Sequence, residues 1–426
     1  MLKIYFETYG CTANYNSTEI MQGLLLNSGF EITSDIKKAY LIVINSCIVK
    51  DATEQKIKRK IQDLLKQKRK IILAGCMPKF VNKSFNYKNL FLLDTNHIKE
   101  IIELVKDIKN HSYQPKKYLS DKQEIKLAVP KNYKDILIGI TQISEGCLGK
   151  CSYCITRFAK GTLFSYPIEK IINSVKKDIK NGCKEIYITS QDNAAYGNEK
   201  GKYLLPELLK NILSLEGNFF VRLGMMNPNN VLKILPELIE IYKNPKMFKF
   251  LHIPVQSGSN KILKAMNRGY NVQEFLKIVN DFKKNIPKIT ISTDIIVGFP
   301  GEKEDDFLET IGLIKNIEPE ILNRSNFSKR KGTLAESLSP INSEEMNKRA
   351  KKLSELHLQI CNKKQKLFLG KSEKVLIDKK GFKNTYLGRN KDYKLFAVNS
   401  KKDILGKIIN IKINKAMPHY LLGKII

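Results

Sequence analysis

The sequence predicts an α/β chain in three parts. A small parallel-sheet domain comes first, a central partial barrel of six strand–helix units second, and a small β-barrel last. Three observations predict this. Short apolar runs alternate with amphipathic stretches of helical period through most of the chain. Beyond residue 371 that alternation gives way to short strands parted by turn residues. Six of the eight cysteines stand at predicted strand ends or in one tight loop. That arrangement is unlike a disulfide framework and places ligand chemistry on the carboxyl edges of the sheets.

The first domain is expected over 1–109. Leu2 to Glu7 reads as a strand, and Asn16 to Asn27 as a helix with a stripe through Ile20, Leu24 and Leu25. Tyr40 to Asn45 is the second strand, followed by a helix from Asp51 to Lys68. Lys70 to Ala74 is the third strand; Leu90 to Leu93 is the fourth, with a helix from His97 to Lys109 after it. Cys11 then follows strand one in Tyr9-Gly10-Cys11, Cys47 ends strand two in Asn45-Ser46-Cys47, and Cys76 ends strand three in Ala74-Gly75-Cys76. Three thiols on neighbouring strand ends can share one inorganic centre. The same residues also read as small buried apolar side chains, a zinc site or a redox pair. Asn14 and Asn45 read as loop organisers. Residues 110–133 are polar and broken by Pro115 and Pro130, which predicts a linker with one short edge element.

The central domain is expected over 134–342. Its strands are read at Ile136 to Ile143, Glu185 to Thr189, Phe219 to Leu223, Phe248 to Ile253, Ile289 to Val297, and from Glu320 onward. Helices are read at Pro167 to Asn181, Leu204 to Leu213, Val231 to Tyr242, Val272 to Lys283 and Glu304 to Asn316. Six units are too few for a closed eightfold barrel, but the chemistry of such a fold still belongs at the carboxyl ends of its strands. There the first strand runs into Glu145-Gly146-Cys147-Leu148-Gly149-Lys150-Cys151-Ser152-Tyr153-Cys154. Soft thiolates select iron–sulfur clusters, zinc or copper. A four-iron cluster on three thiolates leaves one iron open, whereas zinc wants a fourth ligand from elsewhere. Gln191, Arg222, His252, Gln256 and Asp294 stand near other strand ends, a lining suited to a polar nucleoside with an amino-acid tail. Cys183 and Cys361 read as structural.

A helical connector is expected over 343–371 and a five-stranded barrel over 372–426. From Asn362 to Ile426, 17 Lys plus Arg face 4 Asp plus Glu, a net of +13. Phe382, Tyr386, Tyr393, Phe396 and Tyr420 are interleaved with those cations, a pattern for phosphate neutralisation and base stacking. The whole chain carries 74 Lys plus Arg against 42 Asp plus Glu, a formal +32, which favours a polyanionic partner. A lysine-rich compositional bias accounts for part of that excess. No run has the apolar length of a membrane span and no secretory segment is read, so the expected setting is a reducing cytoplasm.

Cys147, Cys151 and Cys154 match the pattern of the radical S-adenosylmethionine superfamily. With Cys11, Cys47 and Cys76 they resemble the methylthiotransferase family within it. The phrases Ile143-Ser144-Glu145-Gly146-Cys147, His252-Ile253-Pro254-Val255-Gln256-Ser257-Gly258-Ser259 and Thr293-Asp294-Ile295-Ile296-Val297-Gly298-Phe299-Pro300-Gly301-Glu302 carry the resemblance further. The branch most resembled is the archaeal and eukaryotic tRNA threonylcarbamoyladenosine methylthiotransferase, through the Cys147–Arg157 stretch and Ile188-Thr189-Ser190-Gln191-Asp192-Asn193-Ala194-Ala195-Tyr196-Gly197. Lys329-Arg330-Lys331-Gly332 departs from the arginine-proline-glycine-like turn common in the family.

The resemblance implies two [4Fe-4S] clusters as metal centres, one on Cys147, Cys151 and Cys154 and an auxiliary one on Cys11, Cys47 and Cys76. It implies S-adenosyl-L-methionine as cofactor, with Tyr153, Gln191, Arg222, Gln256 and Asp294 binding or orienting it. The implied reaction converts N6-threonylcarbamoyladenosine at tRNA position 37 to its 2-methylthio derivative. The implied partners are the tRNA anticodon loop, an electron donor such as ferredoxin or flavodoxin, and a sulfur donor, with a monomeric enzyme and an RNA-binding TRAM-like carboxyl module. Methylthiolation of isopentenyladenosine, a non-catalytic metal- and RNA-binding protein, and a disulfide oxidoreductase are the competing readings.

Overall fold

A computed structural model of the chain describes residues 2–49, 51–81 and 88–426. The amino-terminal sheet is wholly parallel. Its strands are β1 (Lys3–Thr8), β2 (Glu31–Thr33), β3 (Leu41–Ser46), β4 (Lys70–Gly75) and β5 (Leu90–Asp94), in the order β2-β1-β3-β4-β5. Every residue of β3 is buried, as a central strand covered on both faces requires. The Thr12–Asn27 and Ile101–Lys109 helices cover one face, and Asp51–Lys66 covers the other through Ile57, Ile61 and Leu64. Asp51 and Glu54 lie at the amino end of that helix, where its dipole favours negative charge.

Two details depart from expectation. β2 is an added edge strand. The segment read as helix from His97 opens instead with a 3-10 turn, Thr95–Glu100, because Asp94 accepts a hydrogen bond from the Asn96 N–H at 2.8 Å and His97 leaves helical geometry.

The stretch expected as a linker is not a loose tether and forms no strand. It carries a 3-10 turn, Pro115–Tyr118, and buries Tyr118, Lys126 and Leu127 against the two flanking domains. Pro130 lies against Gly23, where an added Cβ would sit 2.5 Å from the Pro130 carbonyl group.

The central domain has two three-stranded parallel ladders. One is β6 (Ile138–Gln142), β9 (Glu185–Thr189) and β10 (Phe220–Leu223); the other is β11 (Phe250–His252), β12 (Thr290–Val297) and β13 (Ile321–Asn326). Backbone hydrogen bonds from Phe248 N to Val221 O (3.0 Å) and Met226 N to His252 O (3.0 Å) join them into a six-strand arc. A two-stranded hairpin, β7 (Ser144–Glu145) with β8 (Phe164–Ser165), follows the first strand and frames the cysteine loop. Asn260–Ala265 is a short helix that the sequence reading did not separate from its loop. The long helix Ser343–Lys366 places Ala350, Leu353 and Ile360 in the central core.

The last five strands are β14 (Ser372–Lys380), β15 (Thr385–Arg389), β16 (Leu395–Asn399), β17 (Ile408–Ala416) and β18 (Leu421–Ile425), closed as β14-β15-β16-β18-β17. This barrel is docked on the base of the arc. Tyr393 packs on Phe250 at 4.5 Å and Phe248 at 5.1 Å, and its hydroxyl lies 3.2 Å from that of Tyr187. Lys249 N donates to Lys391 O at 2.8 Å, continuing the contact through the backbone.

Candidate functional site

Parallel pairing decides where the first three cysteines meet. Ser46 is in register with Gly75, so Cys47 and Cys76 emerge side by side from β3 and β4, one strand spacing of about 4.8 Å apart. Cys11 leaves β1 on the other side of β3 and opens the Thr12–Asn27 helix. Gly10 makes that convergence possible. Its φ is +105°, and a Cβ there would lie 2.7 Å from the Cys47 Cβ and 3.1 Å from its sulfur. Asn14 and Asn45 do organise the loops: Asn14 Nδ2 donates to Tyr9 O (2.8 Å) and Ser46 O (2.9 Å), while Asn45 Nδ2 donates to Asn14 O (2.7 Å). Burial pushes the Cys76 thiol up to about 12 against the pull of Lys160, with Cys11 and Cys47 adding to the rise. A metal would displace those protons on binding.

The second set lies on the loop after β7. Gly146 has φ +79°, and a Cβ there would meet Thr162 O at 2.0 Å, so the turn excludes any side chain. The loop is fixed from beyond: Ser152 N donates to Met266 O at 3.0 Å, and Ala335 N to Ser152 O at 2.8 Å. The sulfurs of Cys147 and Cys151 face one side of Gly149, where a Cβ would be 3.2 and 3.8 Å from them. Burial, then the nearby Asp192 carboxylate, lifts the Cys147 thiol to about 12. Burial also raises the Cys154 thiol, and Cys151 adds to that rise.

Among the described residues, no three Cys, His, Asp or Glu side chains stand in ready-made metal geometry. The Cys151 sulfur instead receives a hydrogen bond from Arg268 Nη1 at 3.0 Å, and the Cys147 sulfur one from Gly149 N at 3.2 Å. Donor chemistry and loop placement fit a sulfur-rich cluster: each set supplies three thiols at the carboxyl edge of a parallel sheet.

The predicted cofactor residues divide by depth. Ser190 and Gln191 follow β9, with Gln191 Oε1 and Ser190 Oγ buried and without a hydrogen-bond partner among the described residues. Such orphaned polar atoms suit a polar ligand in the mouth. Asp294 on β12 accepts from Asn323 Nδ2 at 2.7 Å and pairs with His252 Nε2 at 3.1 Å. Gln256 is held beside it, its N–H donating to Asp294 O at 2.8 Å, in a left-handed conformation of φ +74°. That backbone strain is of the kind concentrated at functional sites.

Arg222 is not at the mouth as expected. Its guanidinium lies between the rings of Tyr187 (5.4 Å) and Phe250 (4.8 Å), the same rings that receive Tyr393 from below. Tyr153 packs edge-on to Phe299 at 6.4 Å, in an apolar group with Ile262, Met266, Phe327 and Ala335.

Arg268 was missed in the sequence, while Asp192 and Arg330 were named there only within longer stretches, without a role of their own. Arg268 bonds Cys151, Asn227 Oδ1 (3.3 Å) and Tyr270 OH (3.0 Å). Asp192, fully buried, accepts from Asn227 N, Ala194 N and Asn230 Nδ2, and burial raises its carboxyl. Arg330, in the atypical Lys329–Gly332 turn, reaches across to Glu54 Oε2 (2.6 Å) and Val49 O (2.9 Å). The Arg-Gly-Tyr run at 268–270 was the available signal for the first.

Comparisons with known proteins match this architecture part by part. Residues 3–91 match an uncharacterized protein family, UPF0004; residues 141–314 match the Radical SAM superfamily; residues 366–426 match the TRAM domain. A probable threonylcarbamoyladenosine tRNA methylthiotransferase of Pyrococcus horikoshii is 40% identical, covering 100% of both chains. That of Archaeoglobus fulgidus is 38% identical over 100% of this chain and 99% of its own. The chain belongs to the threonylcarbamoyladenosine tRNA methylthiotransferase family.

The human threonylcarbamoyladenosine tRNA methylthiotransferase is 34% identical, over 99% of this chain and 74% of its own length. The radical S-adenosylmethionine methyltransferase TsrM of Kitasatospora setae, solved with cobalamin and a [4Fe-4S] cluster, shares the fold. It has a TM-score of 0.57 at 11% identity, over 79% of this chain and 77% of that one. The cobalamin-dependent radical enzyme OxsB aligns with a TM-score of 0.53 at 12% identity, over 84% of this chain and 58% of its own. As a radical SAM methylthiotransferase, the chain has one [4Fe-4S] and S-adenosylmethionine site, and its TRAM domain supports tRNA binding.

Proposed function

We propose that this chain adds a methylthio group to C2 of N6-threonylcarbamoyladenosine at position 37 of tRNA. One observation carries the reading. Ile155 and Ala159, immediately after the Cys147–Cys154 loop, pack in the same apolar group as Cys76 and Met77, so both cysteine sets border one seam between two sheets. A modified base entering that seam meets both.

In this reading Cys147, Cys151 and Cys154 hold the cluster that works with S-adenosylmethionine. Cys11, Cys47 and Cys76 hold a second [4Fe-4S] cluster. The first would supply hydrogen abstraction from C2 and the second sulfur delivery, with a further S-adenosylmethionine giving the methyl group. The chain's own part is placement. Gln191, Gln256 and Asp294 line the mouth for the cofactor, Arg268 holds the Cys151 side of the loop, and Arg330 ties the rim of the barrel to the first domain. Alignment of this kind is where positioning lowers a barrier most. The TRAM barrel contributes cations to the phosphates, while a ferredoxin- or flavodoxin-type protein supplies electrons and a separate donor supplies sulfur.

The test is anaerobic reconstitution with tRNA carrying threonylcarbamoyladenosine or isopentenyladenosine, read by nucleoside mass spectrometry. A 2-methylthio product on the first substrate alone is expected; product on the second alone would overturn the assignment. Cys151→Ala should abolish 5′-deoxyadenosine formation, whereas Cys47→Ala should keep some of it and lose the methylthio product.

A further inference from the structure

Between the two cysteine sets lies a buried group of charges that neither set uses. Glu145, the residue two before Cys147, is fully enclosed and accepts from both Lys126 Nζ and Lys160 Nζ, the latter at 3.0 Å. Thr95 Oγ1 completes the group, donating to Glu145 Oε1 at 2.7 Å and accepting from Lys160 Nζ at 3.1 Å and Lys126 Nζ at 3.2 Å. Two amines therefore share one carboxylate. The next acid, Glu124, is engaged with Lys99 at 3.4 Å. Taking ammonium groups out of water costs several kcal/mol each unless anions compensate.

The sheet register shows what lies near Lys160. Gly75 pairs with Asp94, so Thr95 follows β5 beside Cys76, one strand spacing away, and the Lys160 ammonium bonded to Thr95 at 3.1 Å lies next to the strand end that carries Cys76. Burial opposes the charge on Lys160, but Glu145 and then the Cys76 and Cys11 thiols more than offset it, so its affinity for the proton rises. Burial lowers that of Lys126.

We propose that Lys160, fixed by Glu145 and Thr95, is a positioning residue whose positive charge sets the reduction potential of the group held by Cys11, Cys47 and Cys76. This rests on the second-cluster reading above. A fixed cation beside a thiolate-ligated centre stabilises its more negative, reduced form, so removing the cation makes reduction harder. Cys147, Cys151 and Cys154 lie outside this hydrogen-bonded group, so the other centre should move less.

The test uses the full chain with Cys147, Cys151 and Cys154 all changed to Ala, reconstituted with iron and sulfide and titrated by electron paramagnetic resonance. Lys160→Met, compared with this parent, should lower the reduced-to-oxidised ratio about tenfold at a fixed potential, ~59 mV for one electron. Lys160→Arg should stay near the parent. Glu145→Gln, which removes the opposing negative charge, should shift the ratio the other way, and it serves as the readout should Lys160→Met fail to retain iron. Unchanged ratios in both neutralised variants, or shifts of the same sign, would overturn the role of Lys160. A parent that binds no iron would instead overturn the second-cluster reading, and this proposal with it.

Discussion

Arg268 is the side chain on which the central cysteine loop leans. Its three nitrogens spread over Cys151, Asn227 and Tyr270, and Asn227 in turn donates its N–H to Asp192 at 3.0 Å. A planar fork meets all three partners at once; a lysine cannot. Arg268→Lys should therefore reduce 5′-deoxyadenosine formation at least tenfold, about 1.4 kcal/mol, with the melting midpoint measured alongside to separate loop placement from unfolding. At this scale Cys147, Cys151 and Cys154 were readable as a set because their spacing is local, and Cys11, Cys47 and Cys76 because each follows a short apolar strand. Arg268 was not, because it lies 117 positions from the sulfur it touches. Arg222 was misplaced for a related reason: strand order puts it near the mouth, but its guanidinium is drawn onto Tyr187 and Phe250.

At the scale of elements, strands and helices with strong periodicity were legible to within a few residues, Glu185–Thr189 to the residue. β2 escaped because three residues carry no alternation, and only pairing with β1 makes them a strand. The small barrel corrects a functional expectation. Tyr386, Tyr393 and Phe396 are buried and unavailable to bases, whereas Phe382 is 82% exposed at the tip of the β14–β15 hairpin, with Lys383 Nζ 5.6 Å from its ring. Burial of aromatics in a closed barrel depends on which strand face closes inward, and composition does not contain that. Phe382→Ala should weaken tRNA binding by ~1–3 kcal/mol without altering thermal unfolding; fluorescence anisotropy at fixed salt would measure it.

For the whole molecule, the seam between the first domain and the arc is held in part by an acid. Glu19 is buried there, its Oε1 accepting from Lys134 N at 3.2 Å, with Lys131, Asp178 and Asp135 as its charged neighbours. Burial raises its carboxyl from 4.5 to about 7, partly countered by the Lys134 N–H and Lys131. The folded state thus binds a proton more tightly than the unfolded chain does. Stability from this group is full below about 4.5 and is lost as pH rises through about 7. Glu19→Gln should match the parent near the acid end and exceed it by on the order of 2 kcal/mol above neutrality, seen as a widening gap in melting midpoint across the pH series. None of this seam was visible beforehand: the polar, proline-broken stretch from 110 to 133 has the composition of a tether, and only its partners make it structural.

The aromatic contact of Tyr393 has a practical corollary. Ending the chain after the long helix would strip the cover from Phe248, Phe250 and Tyr187, wetting the floor beneath the cofactor mouth. A truncated protein that lost activity would then report a flooded drum as readily as a missing grip on RNA. Point changes on the outer hairpin separate the two; deletion does not.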